Sequence, residues 1–341
     1  MAKTLKSNED GEERERIPFA KPYFGDDLNR QRMLDKIADI LYEPSGERGK
    51  VSNGENCRKL EEEVCRIHGA DRAFVCSSCT QGMMLMLGAC GANGLCQTQS
   101  FTWPSTVIAA NVQGSQIVPH DIDYEHWAVM HYPTHHKKSY ALAVDTFGCD
   151  ARPTSDVPLF YDRAHSLGVR FKHIGLASAI SFSPSKLLTA GEGGAVLTNS
   201  ARFVEAIAEA RNMTSRLSEF SAIVALEGLK NIDALLEWKK ETYEHYKRAF
   251  PMFEFQGGSG NHQVIGMLME SGEQRDRLMK ALNDEIEFKA YYVPVHRKYQ
   301  ARVKLDLPIT EDVANRILCL PSWFGVDREY IIDRIKGVLN L

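Results

Sequence analysis

The sequence predicts an α/β protein: a mostly parallel sheet flanked by helices, followed by a smaller α+β domain. Three observations carry that expectation. Short apolar runs alternate with helical patterns through the middle of the chain, as in strand–helix–strand units. Past Ser218 the pattern turns strongly helical, through Ala222, Val224, Leu226 and Leu229 toward Tyr246. A glycine-rich stretch (Gly257, Gly258, Gly260) then breaks it and marks a boundary. The 341 residues have room for roughly two domains. The division expected is a mobile charged segment at 1–16, a large domain at 17–255 and a small one at 256–341.

Taken in order, strands are expected at 73–76, 116–120, 140–144, 159–161, 179–183 and 195–198, each a short apolar run. Helices are expected at 81–89, 104–113 and 201–211. In the last, Phe203, Ala206, Ile207 and Ala210 repeat at the spacing of one helical face. The small domain reads as a strand at 264–269, a helix at 273–283, a strand at 288–293 and two short helices to Leu341. Part of the N-terminus is expected to pack on it.

Composition removes several classes of function. Lys plus Arg is 41 and Asp plus Glu 45, a net charge of −4, so a strongly basic nucleic-acid binder is not expected. The first sixteen residues are charged throughout and lack the apolar centre of a secretory signal. The most apolar run, 73–90, is interrupted by Ser77, Ser78, Thr80, Gln81 and Gly82, and no stretch is long enough to span a membrane. The eight cysteines then read as reduced thiols in a cytoplasmic protein.

Parallel sheets bind ligands beyond the carboxyl ends of their strands, and three such ends carry suggestive residues. Cys76-Ser77-Ser78-Cys79-Thr80-Gln81 leaves a strand and opens a helix, where hydroxyls and unpaired N–H groups suit a phosphate. On its own this reads more readily as an ordinary helix cap. Asp162 ends the run Pro158-Leu159-Phe160-Tyr161 and is followed by His165. A buried carboxylate there needs a cationic or hydrogen-bonding partner, and a salt-bridged Asp beside a core histidine would satisfy the pattern. The third end is the sharpest: Ser181 to Lys186, then the cluster Gly191-Glu192-Gly193-Gly194. Glycines let backbone approach a ligand or a neighbouring strand closely. A partly buried lysine deprotonates readily and can form a Schiff base with an aldehyde. Together the three describe a pyridoxal phosphate site: phosphate at the Thr80 helix end, ring nitrogen at Asp162, aldehyde at Lys186.

These residues resemble the DegT/StrS family of nucleotide-sugar aminotransferases, which have the type I pyridoxal-phosphate fold. The likeness runs from Ile17-Pro18-Phe19-Ala20-Lys21-Pro22 almost to the C-terminus. It includes Ser77-Ser78-Cys79-Thr80, Ser100-Phe101-Thr102-Trp103, Asp162-Arg163-Ala164-His165 and the lysine motif from Ser181 to Gly194. The resemblance implies Lys186 as the Schiff-base lysine, Asp162 as the ring-nitrogen partner and His165 beside the ring hydroxyl. It implies Trp103 stacked on the ring, with Cys79, Thr80 and Ser181 around the phosphate. It further implies a homodimer with shared active sites, in which Arg216 and Ser218-Glu219 face the partner's cofactor. Substrates implied are a nucleotide-linked ketosugar and an amino-acid donor, expected to be glutamate. The chain departs from the family at Cys79, where glycine is usual, and at Tyr161 and Arg163. The segment 149–158 is too short for the helix usual before the aspartate, and 211–218 lacks the usual asparagine, with Thr214 nearest. Tyr291 to Arg297 loosely resembles a segment tied to substrate access.

Rival signals are weaker. Ser183-Pro184-Ser185-Lys186 fits the S-x-x-K of penicillin-binding enzymes, yet the companion S-D-N and K-T-G are absent. Cys76 and Cys79 form one C-x-x-C with no second pair, and His120, His126, His131, His135 and His136 sit in what reads as an exposed loop, so no metal site is expected. Alternatives within reach of the motifs are a pyridoxal-phosphate sugar dehydratase and a non-catalytic relative acting as scaffold or regulator. The dehydratases often replace the lysine, so Lys186 favours transfer.

Overall fold

The computed structural model describes residues 6–7, 13–42, 50–134, 136–299 and 305–341. Most of the segment expected to be mobile, 1–16, lies outside the described residues, as does His135. A seven-stranded sheet forms the centre. Its strands are β1 (Arg72–Cys76), β2 (Leu95–Gln99), β3 (Gln116–His120), β4 (Ser139–Val144), β5 (Leu159–Arg163), β6 (Ala177–Ser181) and β7 (Gly194–Thr198). They lie in the order β1-β7-β6-β5-β4-β2-β3. Only β7 runs against its neighbours; the other pairings are parallel.

Helices cover both faces: α1 (Asp27–Tyr42), α2 (Glu55–His68), α3 (Cys79–Ala89), α4 (Pro104–Val112), α5 (Val204–Thr214), α6 (Glu219–Leu229) and α7 (Ile232–Ala249). Successive strand residues point to opposite faces. Val75, Ile180 and Leu197 enter one core with Leu60 and Val64 of α2 and Ala222 and Ala225 of α6. Their neighbours Phe74, Ala179 and Val196 enter the other, with Met83 and Met86 of α3 and Ala109 and Ala110 of α4. A sheet buried on both faces is why these strands read as unbroken apolar runs.

The remaining elements are β8 (Glu254–Phe255), β9 (Ile265–Leu268), α8 (Gly272–Ala281), α9 (Val295–Tyr299), α10 (Pro308–Arg316), β10 (Ile317–Leu320) and α11 (Arg328–Leu339). The three strands form a second, antiparallel sheet. Its core joins Met267, Leu278, Leu318 and Ile331 to Tyr243 and Tyr246 of α7 and to Phe250 just beyond it, so residues on both sides of position 256 build it. Ile17 belongs to the same core and bridges Ile286, which packs the N-terminal side of the chain there as expected. No helix among the described residues is long and apolar enough to cross a membrane.

Several elements differ from expectation. Strands β2 and β10 form where the sequence predicts none. The strand expected at 288–293 contracts to one bridge, Lys289 with Cys319. Helix α3 begins at Cys79 rather than 81, because Ser78 caps it by accepting from the Gln81 N–H at 3.1 Å. Between β4 and β5 there is no helix, in keeping with the short segment: a turn at Thr146–Gly148 leads to Thr154–Ser155, which pairs with His131–Tyr132. That turn needs its glycine. Gly148 has φ +90°, and a Cβ there would lie 1.9 Å from Asn261 Oδ1.

Candidate active site

Strand register gathers the candidate chemistry at one edge. Cys76, Gly194 and Ser181 stand side by side across β1, β7 and β6, and Val144 stands beside Asp162 across β4 and β5. The turns leaving these strand ends enclose a cavity of about 330 Å³. Cys79, Thr80, Trp103, Asp162, His165, Ser181 and Lys186 all line it. Arg216 does not: its backbone pairs with Cys76 and its side chain is exposed.

The floor is the N-terminal turn of α3, whose first N–H groups have no partner within the helix and face a site for negative charge. Gly194 makes its close approach to the sheet possible. A Cβ on that residue would sit 2.5 Å from the Cys79 nitrogen and 2.7 Å from the Ser78 carbonyl carbon, so any side chain would push the turn off the sheet. The close backbone approach expected of the 191–194 glycines is thus toward a neighbouring turn. Ser77 fixes the other side, sharing a 2.8 Å hydrogen bond with Ser215. Cys79 is buried and its thiol is pushed well above its ordinary pKa, chiefly by desolvation, so it stays neutral and unreactive.

Asp162 sits on the opposite wall, 4 % exposed. Its Oδ2 accepts from Thr106 Oγ1 at 2.7 Å and its Oδ1 from the Ala164 N–H at 3.1 Å. Thr106 in turn shares a 2.9 Å hydrogen bond with Thr102, which lies just before α4. Burial raises the carboxyl pKa, while the Thr106 and Ala164 donors and the Lys186 charge pull it back. Lys186 follows β6 in a tight turn closed by its own N–H to the Ser183 carbonyl at 3.0 Å. Burial lowers its pKa, and nearby Cys79 and Asp162 oppose that. His165 is held well below its ordinary pKa by burial first, then by the Lys186 and Lys239 charges, and is therefore neutral.

The mouth is aromatic. Trp103 is 56 % exposed and meets Tyr291 and Tyr292 edge-on. The Tyr292 hydroxyl lies 3.5 Å from His165 Nδ1, at the limit of a hydrogen bond. Sequence reasoning missed Thr106, whose place under Asp162 comes from a helix far along the chain. It also missed Asn261 and Gln263. Asn261 Nδ2 donates to the His165 carbonyl at 2.7 Å and Gln263 Nε2 to the Ser185 carbonyl at 3.0 Å, so this strap latches both the histidine and the lysine turns. No local pattern marks either residue.

Arg163, which the sequence left open, is buried. Its Nε lies 2.9 Å from Asp145 Oδ2, its Nη1 donates to the His173 carbonyl at 2.8 Å, and its guanidinium lies 3.9 Å from the centre of the Tyr161 ring. Desolvation pushes the Asp145 pKa up to about 6 despite that cation. Breaking a buried pair strands the other charge. The variant Arg163→Met is expected to lose about 3 kcal/mol of stability, read from urea midpoints. A loss below about 0.5 kcal/mol would show the pair to be dispensable.

The donor set fits pyridoxal phosphate. An amine and a carboxylate share one cavity large enough for a substituted ring, and hydroxyls with a helix N-terminus stand where an anion would lie. Among the described residues no cluster of His, Cys, Asp or Glu has the makings of a metal site.

Comparison with known proteins identifies the family and the fold. The model of the DegT/DnrJ/EryC1/StrS aminotransferase family matches residues 39–135 and 150–338. The chain is 23 % identical over 338 residues to the dTDP-4-amino-4,6-dideoxy-D-glucose transaminase of Shigella dysenteriae, covering 84 % of this chain and 91 % of that protein. Among solved structures, DesI in the presence of its TDP-sugar product superposes with a TM-score of 0.81 at 22 % identity, over 94 % of this chain and 91 % of that one. NtdA of Bacillus subtilis, with bound pyridoxamine phosphate cofactor, gives 0.81 at 16 % identity over 94 % and 86 %. At these identities the structural likeness establishes the type I aminotransferase fold.

Proposed function

The chain belongs to the DegT/DnrJ/EryC1/StrS aminotransferase family, and from that premise we propose that it moves an amino group from glutamate to the keto group of a nucleotide-linked sugar. The observation that carries the reading is the placement of the Lys186 amine and the Asp162 carboxylate on one cavity, each felt by the other's charge. The names of the Shigella transaminase and of DesI support the sugar as acceptor.

Pyridoxal phosphate, when bound, supplies an aldehyde for the amine and a ring that accepts electrons. Every other task falls to the chain. The α3 N-terminus, Thr80 and Ser181 would hold the phosphate, and Trp103, on the cavity wall, would contact the ring. The Asp162 carboxylate keeps a proton on the ring nitrogen. Lys186 carries a proton between carbon atoms, a role open to a lysine whose pKa burial has lowered. Neutral His165, on the same cavity, would meet the group without adding charge.

Two copies share the sites in this reading. Leu28, Leu34, Leu41 and Tyr42 of α1 are exposed, as is Met213, three residues before Arg216, and these are apolar side chains that a second copy would cover. The cavity's own lining contains no arginine for a phosphate, and Arg216 of a second copy would supply one. The deciding experiment is mass spectrometry of the products from a panel of nucleotide ketosugars with glutamate. An aminosugar and 2-oxoglutarate in equal amounts are expected. Protein that is yellow yet yields neither product with any sugar would overturn transfer in favour of the dehydratase or scaffold reading.

A further inference from the structure

Behind Lys186 lies a second, smaller chamber of about 40 Å³. It shares Phe19, Ser185, Lys186 and Val264 with the main cavity as common wall. The two spaces differ in charge. Asp162 and Glu192, with Asp145 already paired to Arg163, line the main cavity against a single lysine. Lys21, Lys186 and Lys239 line the chamber, with no acidic residue at all. Lys21 rests over the Trp323 ring, 5.0 Å from its centre.

Lys239 is the unusual member. It is 5 % exposed, and among the described residues no carboxylate pairs with it. Two of its three ammonium hydrogens go to the Gln263 carbonyl at 2.9 Å and Ser322 Oγ at 2.8 Å. A buried ammonium answered only by neutral acceptors is costly to keep. Its pKa is correspondingly lowered to about 7 by desolvation alone. An anion brought to the remaining N–H would relieve that cost. A water needs on the order of 10–15 Å³ by this measure, so the chamber has room for a carboxylate group and not for a ring.

We infer that this chamber is a carboxylate site, and that it takes the side-chain carboxylate of a dicarboxylic amino donor whose amine reaches Lys186 from the main cavity. The inference rests on the transamination reading for its ligand. It makes the chamber the determinant of donor class: a donor without a second carboxylate leaves Lys239 unanswered.

Two measurements test it on the full-length protein. In calorimetric titration, glutarate, which has both carboxylates and no amine, should bind the wild type. Binding should fall about 10- to 100-fold in Lys239→Gln, as for the loss of a hydrogen bond to a charged group. In turnover, the same variant should lose a similar factor in kcat/KM for glutamate and much less for alanine, whose side chain places nothing in the chamber. Lys21→Met, a substitution at an exposed side chain, should weaken glutarate severalfold and covers the case in which Lys239→Gln fails to fold. Equal glutarate binding in wild type and in every variant that folds would overturn the inference, as would an equal fall for glutamate and alanine. Lys239-dependent glutarate binding by a protein that transfers no amine would uphold the chamber and sink the transamination reading instead.

Discussion

Lys186→Ala is expected to lower turnover by about 10^4-fold or more, the combined loss of a covalent anchor and a positioned proton carrier. No other group in the cavity can substitute. Cys79 is buried with its pKa driven up, and His165 is neutral and lacks a flexible stem. The variant should nevertheless fold well, because the Lys186 ammonium has no hydrogen-bond partner among the described residues and only its backbone N–H holds the turn. The sign of the stability effect follows from linkage. Burial sets the amine's pKa lower in the folded chain than in the unfolded one, so the charged lysine costs stability at neutral pH. That cost shrinks as the pH rises from the folded value toward the ordinary value of 10.5. Removing the amine should therefore leave the melting temperature of the cofactor-free protein equal or higher near pH 7. The check has three parts: turnover, thermal unfolding, and borohydride fixation of pyridoxal phosphate, which mass spectrometry should find on the wild type and not on the variant. Partial recovery with added methylamine would mark the defect as the missing amine. A variant that keeps more than about a hundredth of its turnover would remove Lys186 from the chemistry.

Much of this site was legible because it is local. The cap at Ser78, the lysine turn and the glycines at 191–194 each sit within a few residues of a strand end, and an apolar run followed by hydroxyls and glycine announces such an end. What stayed hidden was non-local. Strand β2 carries Gln97, Thr98 and Gln99, which look like loop. In the fold they are buried and paired: Thr98 donates to the Leu142 carbonyl at 2.7 Å, and Gln99 to the Phe101 carbonyl and Thr146 Oγ1. The converse holds at 288–293, where Phe288 and Tyr292 each fill a core although no strand of that span forms. Arg163 is the same lesson in charge. Its place in the sequence fits a surface residue as well as a buried one, and only the neighbouring Asp145, contributed by another strand end, decides. The Asn261–Gln263 strap shows the limit most clearly, since its value lies wholly in reaching carbonyls of the histidine and lysine turns far back in the chain.

The second large effect is expected at Asp162. Asp162→Asn keeps the side chain's shape and can still accept the Thr106 hydrogen bond, but it removes the negative charge. A neutral amide cannot hold a proton on a ring nitrogen, so the ring loses its capacity to take up electrons as a proton leaves carbon. Turnover should fall about 10^3-fold, the scale of one preorganised charge in a water-poor site, with KM for the sugar little changed. The environment sharpens the argument, because burial alone would favour the protonated, useless form of Asp162. The Thr106 hydroxyl and the Ala164 N–H counter that burial. Thr106→Val should therefore also slow the enzyme, by about tenfold for one lost hydrogen bond to a charged group. Its activity should need a higher pH, since Asp162 without that donor titrates higher and ionises later. Asp162→Asn should show no such dependence, having no carboxyl to titrate. Single-turnover kinetics with glutamate across pH 6–9, in both variants and the wild type, would separate the two. An Asp162→Asn protein within tenfold of wild type would place the ring's charge partner elsewhere.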